Sequence, residues 1–321
     1  MEIASIYEPI REDLVRVEGS LRAVNRADLP WMSDLLEHTL KDAGKLIRPA
    51  LTLLAAKPYR YDLELLLPVA TAVELLHTAT LVHDDTVDRS LVRRGKPTVS
   101  SIWGRDVAVL LGDYLFAASA ELVSTAGSLR VMSLFAQTLM AISSGELRHM
   151  FTIYDLGQTR QHYYQMIGSK TASLFSSATE AGALVSQAPD EAMAALRGYG
   201  YNMGLAFQIV DDILDFVGDE TEMGKPVGSD LIQGTLTLPA IVYLERYPED
   251  DCIQRVFEGG GSPEHLPQAV ERVSNPAVIE ECYAIALGFC SQACKGLEAL
   301  PDNACRQSLL DLAEYAIERK R

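Results

Sequence analysis

The chain has 321 residues, 48% of them hydrophobic and 22% charged, which supplies a substantial core and excludes a disordered segment. With 28 basic against 44 acidic residues the net charge is −16, which opposes general affinity for nucleic acid or an anionic membrane. Any anionic ligand must then be gripped by a local basic site.

Taken in chain order, the amino terminus MEIASIYEPIREDLVRVEG carries acids and no apolar centre, unlike a signal or transit peptide. Apolar residues recur at helical spacing almost throughout, and alternating segments bounded by turns are scarce, so the predicted fold is all-α. Helices are predicted over 5–23, 31–41, 46–56, 63–89, 99–125, 129–150, 160–187, 190–217 and 235–246, with several more between 264 and 319. RRGKP, GDETEMGKPVGSD and EGGGSPEHLP read as loops, none long or biased enough to divide the chain, so residues 1–321 are expected to form a single domain. The longest apolar run, LLLPVATAVELLHTATLV at 65–82, contains Glu74 and His77, which suits a buried helix better than a transmembrane segment. The five cysteines, Cys252, Cys282, Cys290, Cys294 and Cys305, lie late and lack paired metal-site spacing; reduced thiols in a cytoplasmic protein are the simplest expectation.

One short pattern occurs twice. Asp84-Asp85-Thr86-Val87-Asp88 and Asp211-Asp212-Ile213-Leu214-Asp215 are both DDxxD, and each closes a long apolar helix. Positions i and i+4 share a helix face, so Asp84 with Asp88, and Asp211 with Asp215, set like charges side by side. They stand where the helix dipole is already negative, and each cluster disfavours its own helix unless a cation sits on it. A single copy is most simply a solvated helix end; two copies after buried helices favour a metal site. Neither has the spaced ligands and central glycine of a calcium loop, and zinc would want nearby Cys or His beyond His83. Magnesium fits oxygen-only ligands, and it is usually shared between one or two carboxylates and a substrate's phosphates.

Basic residues lie where a phosphate would need them. Arg93 and Arg94 follow the first cluster, and Lys45 and Arg48 in AGKLIRPAL stand at a helix start with Pro49 in its first turn. His77 lies seven residues before Asp84, nearly on the same helix face, although taken singly it reads as a core histidine. GSKTASLF places Lys170 and Thr171 in an otherwise small and apolar helix, Gln208 stands one turn before Asp211, and Lys225 lies in the loop after the second cluster. Each alone is also compatible with an ordinary surface or core position.

Together these residues resemble the trans-type polyprenyl diphosphate synthases, the head-to-tail isoprenyl chain elongators. The pattern GKxxRP, ELLHxxxLxHDDxxDxxxxRRGxP, KT, FQxxDDxxD and GKPxGxD is matched in order between about 43 and 240, at Gly44 to Pro49, Glu74 to Pro97, Lys170-Thr171, Phe207 to Asp215 and Gly224 to Asp230. The resemblance implies an isoprenoid synthase-like helical bundle around a central cavity, acting as a homodimer. It implies that Asp84, Asp88 and Asp211 ligate magnesium, about three ions per active site, with Asp85, Asp212 and Asp215 shaping the clusters. Arg93, Lys170 and Lys225 would hold the allylic diphosphate; Lys45, Arg48, His77 and Arg94 would hold isopentenyl diphosphate; Thr171 and Gln208 would face the carbocation. Two departures stand out: GTLTLP puts Thr235 where the GKxTLP segment has lysine, and AGKLIRP has Ala43 and Leu46 where GGKRLRP has glycine and arginine.

The chemistry implied is loss of diphosphate from an allylic primer (dimethylallyl, geranyl, farnesyl or geranylgeranyl), attack by the isopentenyl double bond, and loss of a proton to the departing pyrophosphate. Product length would follow from how far the chain runs down between helices. Ala79 and Thr80, the fifth and fourth residues before Asp84, are small where short-chain members carry an aromatic plug, and Leu75, Leu76, Phe135 or Met140 could form a floor further down. A product of twenty carbons or more is expected, with about thirty to forty favoured over geranylgeranyl diphosphate; at about 1.5 Å per residue Ala79 lies roughly 7 Å below the metal site. A terpene cyclase would not need the second diphosphate subsite, and a non-catalytic subunit of a heteromeric synthase would commonly lose metal ligands that are present here.

Overall fold

A computed structural model of the chain describes residues 2–24, 30–41, 44–218 and 226–318. The protein is all-α: among the described residues the only strands are Val92–Arg93 and Lys96–Pro97. Predicted helices form at Pro30–Leu40, Ile47–Ala56, Leu63–Val87, Leu129–Met150 and Asp190–Val217. The differences lie where local chemistry interrupts a long apolar pattern. Gly104, at φ +92°, divides the predicted 99–125 helix into Val99–Trp103 and Arg105–Thr125, a backbone geometry that glycine adopts without a side-chain clash. The predicted 160–187 helix is Arg160–Ile167 and Ser173–Val185 joined by one π turn, Gly168–Ala172. Ser229–Ile232 and Cys252–Phe257 are too short for periodicity to reveal.

Contacts group the chain into two compact units. The first comprises Met1–Leu139, Leu174–Gly200 and Cys294–Leu312, and the second Met140–Ser173, Tyr201–Ala293 and Ala313–Arg321. In the first, the Leu63–Val87 helix packs chiefly on Arg105–Thr125 and then on Ile47–Ala56 and Arg11–Ala23. It begins with Asp62, whose carboxylate accepts from the Glu64 N–H at 3.1 Å, capping one of the amides that a helix start leaves unpaired. Leu66, Val69, Val73, Leu75 and Leu76 are all but fully buried along it, at roughly 1.5–3 kcal/mol per side chain. Gly112 keeps the partner helix thin where His83 crosses it, and His83 Nε2 reaches the Val109 carbonyl at 3.0 Å. By length and hydropathy both Leu63–Val87 and Arg105–Thr125 could cross a membrane, but 61% of the first helix's apolar window is buried within the protein, against 33% for the second.

In the second unit a core of Tyr163, Ile167, Ile209, Val210, Ile213, Leu238, Ile241 and Val256 collects the helices around the second aspartate cluster. All five cysteines are free thiols, four of them buried. Burial pushes the Cys282 thiol up to about 12, which keeps it unreactive.

Candidate active site

In the first unit the site is built at the carboxyl end of the Leu63–Val87 helix. The predicted helix to 89 ends at Val87 because Arg89 takes a left-handed conformation, φ +54°, and the Ser90 N–H turns back to the Asp85 carbonyl at 3.0 Å. Asp88 is thereby the cap, exposed, with its N–H on the Asp84 carbonyl at 2.8 Å, while Asp84 is half-buried and Asp85 buried. Asp85 turns inward to Arg93, whose Nε donates to both carboxylate oxygens at 2.8 Å.

The stretch predicted as a plain loop is a tight hairpin: Val92 pairs with Pro97 and Arg93 with Lys96, and the turn residues Arg94 and Gly95 have φ +50° and +74°. Two successive positive φ values match the right-handed twist of paired strands, so the hairpin presents Arg93, Arg94 and Lys96 at fixed positions. Thr98 Oγ1 closes its base by donating to the Ser90 carbonyl at 2.7 Å, and His38 Nε2 meets the Pro97 carbonyl at 3.0 Å.

A cavity of about 360 Å³ opens beside this hairpin. Glu74, His77, Thr78, Leu81, Val82 and Asp85 line it at helical spacing, a single stripe of one helix, and Gly44, His38, Arg93, Arg94 and Lys96 face them. Gly44 has φ +68°, and a Cβ there would come within 2.7 Å of Arg94 Nη1, so the glycine retained in AGKLIRP is the one whose missing side chain makes room for a guanidinium. Arg48 stands over the Phe175 ring, 4.6 Å from its centroid, which fixes a partly desolvated cation by its attraction for the ring face. Lys45 is exposed, and its carbonyl accepts from the Tyr7 hydroxyl at 2.9 Å.

Burial dominates the titration of the two ionisable groups on the stripe. His77 is held well below its ordinary pKa, first by desolvation and then by the charges of Arg48, Arg94 and Arg93, so it is a neutral imidazole at pH 7. Glu74, 6% exposed and with no hydrogen-bond partner for Oε2, is pushed up to about 7 by burial, against the pull of Arg48 and Arg94. The motif contained Glu74, but no role followed from the sequence; an acid inside an otherwise apolar run was its signal.

In the second unit the aspartates divide their work. Asp211 is half-buried. Asp212 is buried: its Oδ2 accepts from the Tyr163 hydroxyl at 2.6 Å and its Oδ1 from Gln208 Nε2 at 2.8 Å. Desolvation holds the Asp212 carboxyl well above its ordinary pKa, with Asp230 adding to the effect. Gln208 in turn accepts from Thr171 Oγ1 at 2.7 Å, so Thr171, Gln208, Asp212 and Tyr163 form one chain of hydrogen bonds. Asp215 is fully buried and holds the next turn of chain: Ser229 Oγ donates to its Oδ1 at 2.8 Å and the Gly228 N–H to its carbonyl at 2.7 Å. Lys170 and Thr171 both lie on the π turn, and Lys170 Nζ sits 2.7 Å from Glu146 Oε2. A π turn adds a residue to the helical circuit and redirects side chains, a feature frequent at functional sites. Lys225, like Gly224 and Ala43, lies outside the described residues.

The donor set at each cluster is carboxylate oxygen alone, which fits a hard divalent ion such as magnesium. Among the described residues no three Asp, Glu, His or Cys side chains are grouped to hold a metal by themselves. Of the residues expected to set chain length, Leu75, Leu76, Ala79 and Phe135 are buried and Thr80 is half-buried with its hydroxyl on the His77 carbonyl at 2.7 Å; none of them lines the 360 Å³ cavity. Met140 is 63% exposed and walls no interior pocket, because it falls on the outer face of its helix.

Comparison with known proteins gives one consistent result. The family pattern described as polyprenyl synthetase matches residues 29–273. Heptaprenyl diphosphate synthase component 2 of Geobacillus stearothermophilus is 36% identical over 99% of both chains. Among solved structures, a decaprenyl diphosphate synthase from Rhodobacter capsulatus is 36% identical and superposes with a TM-score of 0.91 over the whole of both chains. A polyprenyl synthase from Caulobacter crescentus, complexed with calcium and isoprenyl diphosphate, superposes at 0.95 with 32% identity over 100% of this chain and 98% of that one.

Proposed function

This chain belongs to the polyprenyl synthetase family, and from that premise we propose that it condenses isopentenyl diphosphate with an allylic diphosphate to give an all-trans polyprenyl diphosphate of medium-to-long chain. The observation that carries the reading is the first unit's cavity, where a neutral His77 and the guanidinium of Arg94 face one another across space held open by Gly44. That arrangement suits a diphosphate, because paired guanidinium forks match phosphate oxygens and a neutral imidazole donates without adding charge. The matched family pattern spans both compact units, which supports reading the chain as one catalytic domain.

Lys45, Arg48, His77 and Arg94 bind isopentenyl diphosphate in this reading, and Arg93, Lys170 and Lys225 bind the allylic diphosphate. Asp84, Asp88 and Asp211 would hold magnesium, about three ions per site, together with the substrate's diphosphate. When bound, magnesium neutralises charge on the diphosphate and makes it a better leaving group. Asp85 holds Arg93, Asp212 with Tyr163 holds Gln208, and Gln208 holds the Thr171 hydroxyl; in this reading Gln208 and Thr171 border the developing carbocation. The attacking double bond of isopentenyl diphosphate forms the new carbon–carbon bond, and the proton then lost goes to the released pyrophosphate. The protein is expected to act in the cytoplasm as a homodimer; Val109, Leu110 and Tyr114, exposed together on Arg105–Thr125, support a self-association face.

The test is to incubate the purified protein with labelled isopentenyl diphosphate and each allylic primer, with and without magnesium. Magnesium-dependent polyprenyl product, lost in Asp84→Ala and Asp211→Ala, is the expected result. No product from any primer would overturn the reading and favour a non-catalytic subunit.

A further inference from the structure

Glu74 lines the cavity of about 360 Å³ one helical turn before His77, yet it belongs to neither diphosphate set nor to the metal ligands. It is 6% exposed, and among the described residues its Oε2 has no hydrogen-bond partner. Buried polar side-chain atoms are nearly always paired, so an orphan acid in a cavity wall points to a ligand or to a proton. Arg48 of the Ile47–Ala56 helix and Arg93, Arg94 and Lys96 of the hairpin bring positive charge to it, with His38 from Pro30–Leu40. His77 and Asp85 share the Glu74 helix; Arg11–Ala23 lends the cavity only Leu21, and Arg105–Thr125 lends it no residue. Asp85 is taken by Arg93 at 2.8 Å and His77 is neutral, which leaves Glu74 as the acid that an incoming anion meets.

A diphosphate offers mainly hydrogen-bond acceptors. A carboxylate likewise only accepts, whereas a carboxylic acid has an O–H to donate. A diphosphate beside a carboxylate in a desolvated wall sets like charges together, and one proton removes the conflict. We propose that Glu74 takes up a proton as isopentenyl diphosphate enters the cavity, which ties the affinity for that substrate to pH. This rests on the prenyltransferase reading. In the empty site burial pushes Glu74 up to about 7, while Arg48 and Arg94 pull the other way. A bound diphosphate offsets those two guanidinium charges and adds its own, so the carboxyl of the occupied site rises further. Below about pH 7 the acid holds its proton in both states; above it the empty site has lost the proton and must recapture it, so affinity falls as the pH rises.

The experiment titrates isopentenyl diphosphate, without an allylic primer, into the protein by calorimetry at pH 6 and pH 8. Repeating each titration in buffers of different ionisation enthalpy counts the protons taken up per ligand bound. At pH 8 the phosphates are already ionised, their second ionisation lying near about 6, so uptake there reports the protein. Wild type should take up about one proton at pH 8 and Glu74→Gln none, and the variant should bind roughly tenfold more tightly than wild type at pH 8 but equally at pH 6. Uptake that persists in Glu74→Gln overturns the proposal, as does its loss in His77→Gln alone, which would give the proton to the imidazole. Should Glu74→Gln not fold, a wild type with no uptake at pH 8 still overturns the proposal, and a His77→Gln protein that keeps the uptake supports it. Uptake that depends on Glu74 in a protein making no product with any primer counts against the prenyltransferase reading alone. A wild type that does not bind isopentenyl diphosphate overturns both.

Discussion

Glu74 shows how much one buried acid can shape a site. Its carboxyl sits in the cavity wall with Oε2 lacking a partner and its pKa pushed up to about 7. In the unfolded chain the same group ionises near its ordinary value, so folding stability is intact below about pH 4 and is progressively lost as the pH rises to about 7. His77 acts at the other edge: because burial keeps it neutral, the unfolded chain takes up a proton first, and stability falls as the pH drops below about 6.5. Denaturant titrations of Glu74→Gln and wild type at pH 4 and pH 8 should therefore diverge. Wild type is expected to lose on the order of 3 kcal/mol relative to the variant across that range, since each pKa unit is worth about 1.4 kcal/mol. Parallel pH dependence in the two proteins would contradict the burial argument. Ala79, fully buried four residues before His83, poses a different question. If it borders the growing prenyl chain, Ala79→Phe should shorten the main product by one or more isoprene units at little loss of total turnover, read by chromatography of the dephosphorylated products. An unchanged product spectrum would remove Ala79 from the length-setting wall.

At the scale of elements, the hairpin and the π turn are the two places where backbone geometry carries the chemistry. The hairpin has only one ladder pairing beyond its turn, so its shape depends on the left-handed pair Arg94 and Gly95. Nothing lies within 4 Å of a Cβ built on Gly95, so a substitution there meets strain from φ alone. Gly95→Ala should cost about 1 kcal/mol of stability and, by loosening Arg94, raise the KM for isopentenyl diphosphate several-fold with kcat nearly unchanged. Steady-state kinetics varying each substrate separately check this; a fall in kcat alone would show that the hairpin does not hold that diphosphate. The hairpin and its turn were hard to read from RRGKP, because two-residue strands carry no alternation, and the arginine in the turn's first position is not a residue that favours positive φ. The π turn was equally hidden: GSKTA looks like unbroken helix, and only its packing reveals it, with Gly168 admitting the Tyr201 hydroxyl where a Cβ would come within 2.5 Å.

For the whole molecule, the Arg105–Thr125 helix is the element least accounted for by one chain. Leu110 is 68% exposed, Val109 43% and Tyr114 38%, while Leu111 and Leu115 on the opposite face are buried. A helix apolar on both faces wants a partner on each. Leu110→Asp is expected to convert a dimer to monomer in sedimentation at micromolar concentration, with the helical circular dichroism retained. A wild type that sediments as a monomer at every concentration would reject self-association through this helix.

The sequence by itself determined the all-α class and the two DDxxD clusters with their basic companions, because helical periodicity and short spacings are local properties that survive without a fold; the breaks at Gly104 and at the π turn lay outside that signal. It also marked Thr235 as a departure, since a missing charge in a matched segment needs no coordinates to be seen. Only the tertiary structure decided what each aspartate does: Asp85 turns to Arg93, Asp212 to Tyr163 and Gln208, and Asp215 to the chain around Ser229. The same packing gave Glu74 its raised pKa and brought His149 to Thr235 across 86 residues of sequence. Burial and long-range hydrogen bonding are set by which elements meet, and spacing along the chain does not encode that.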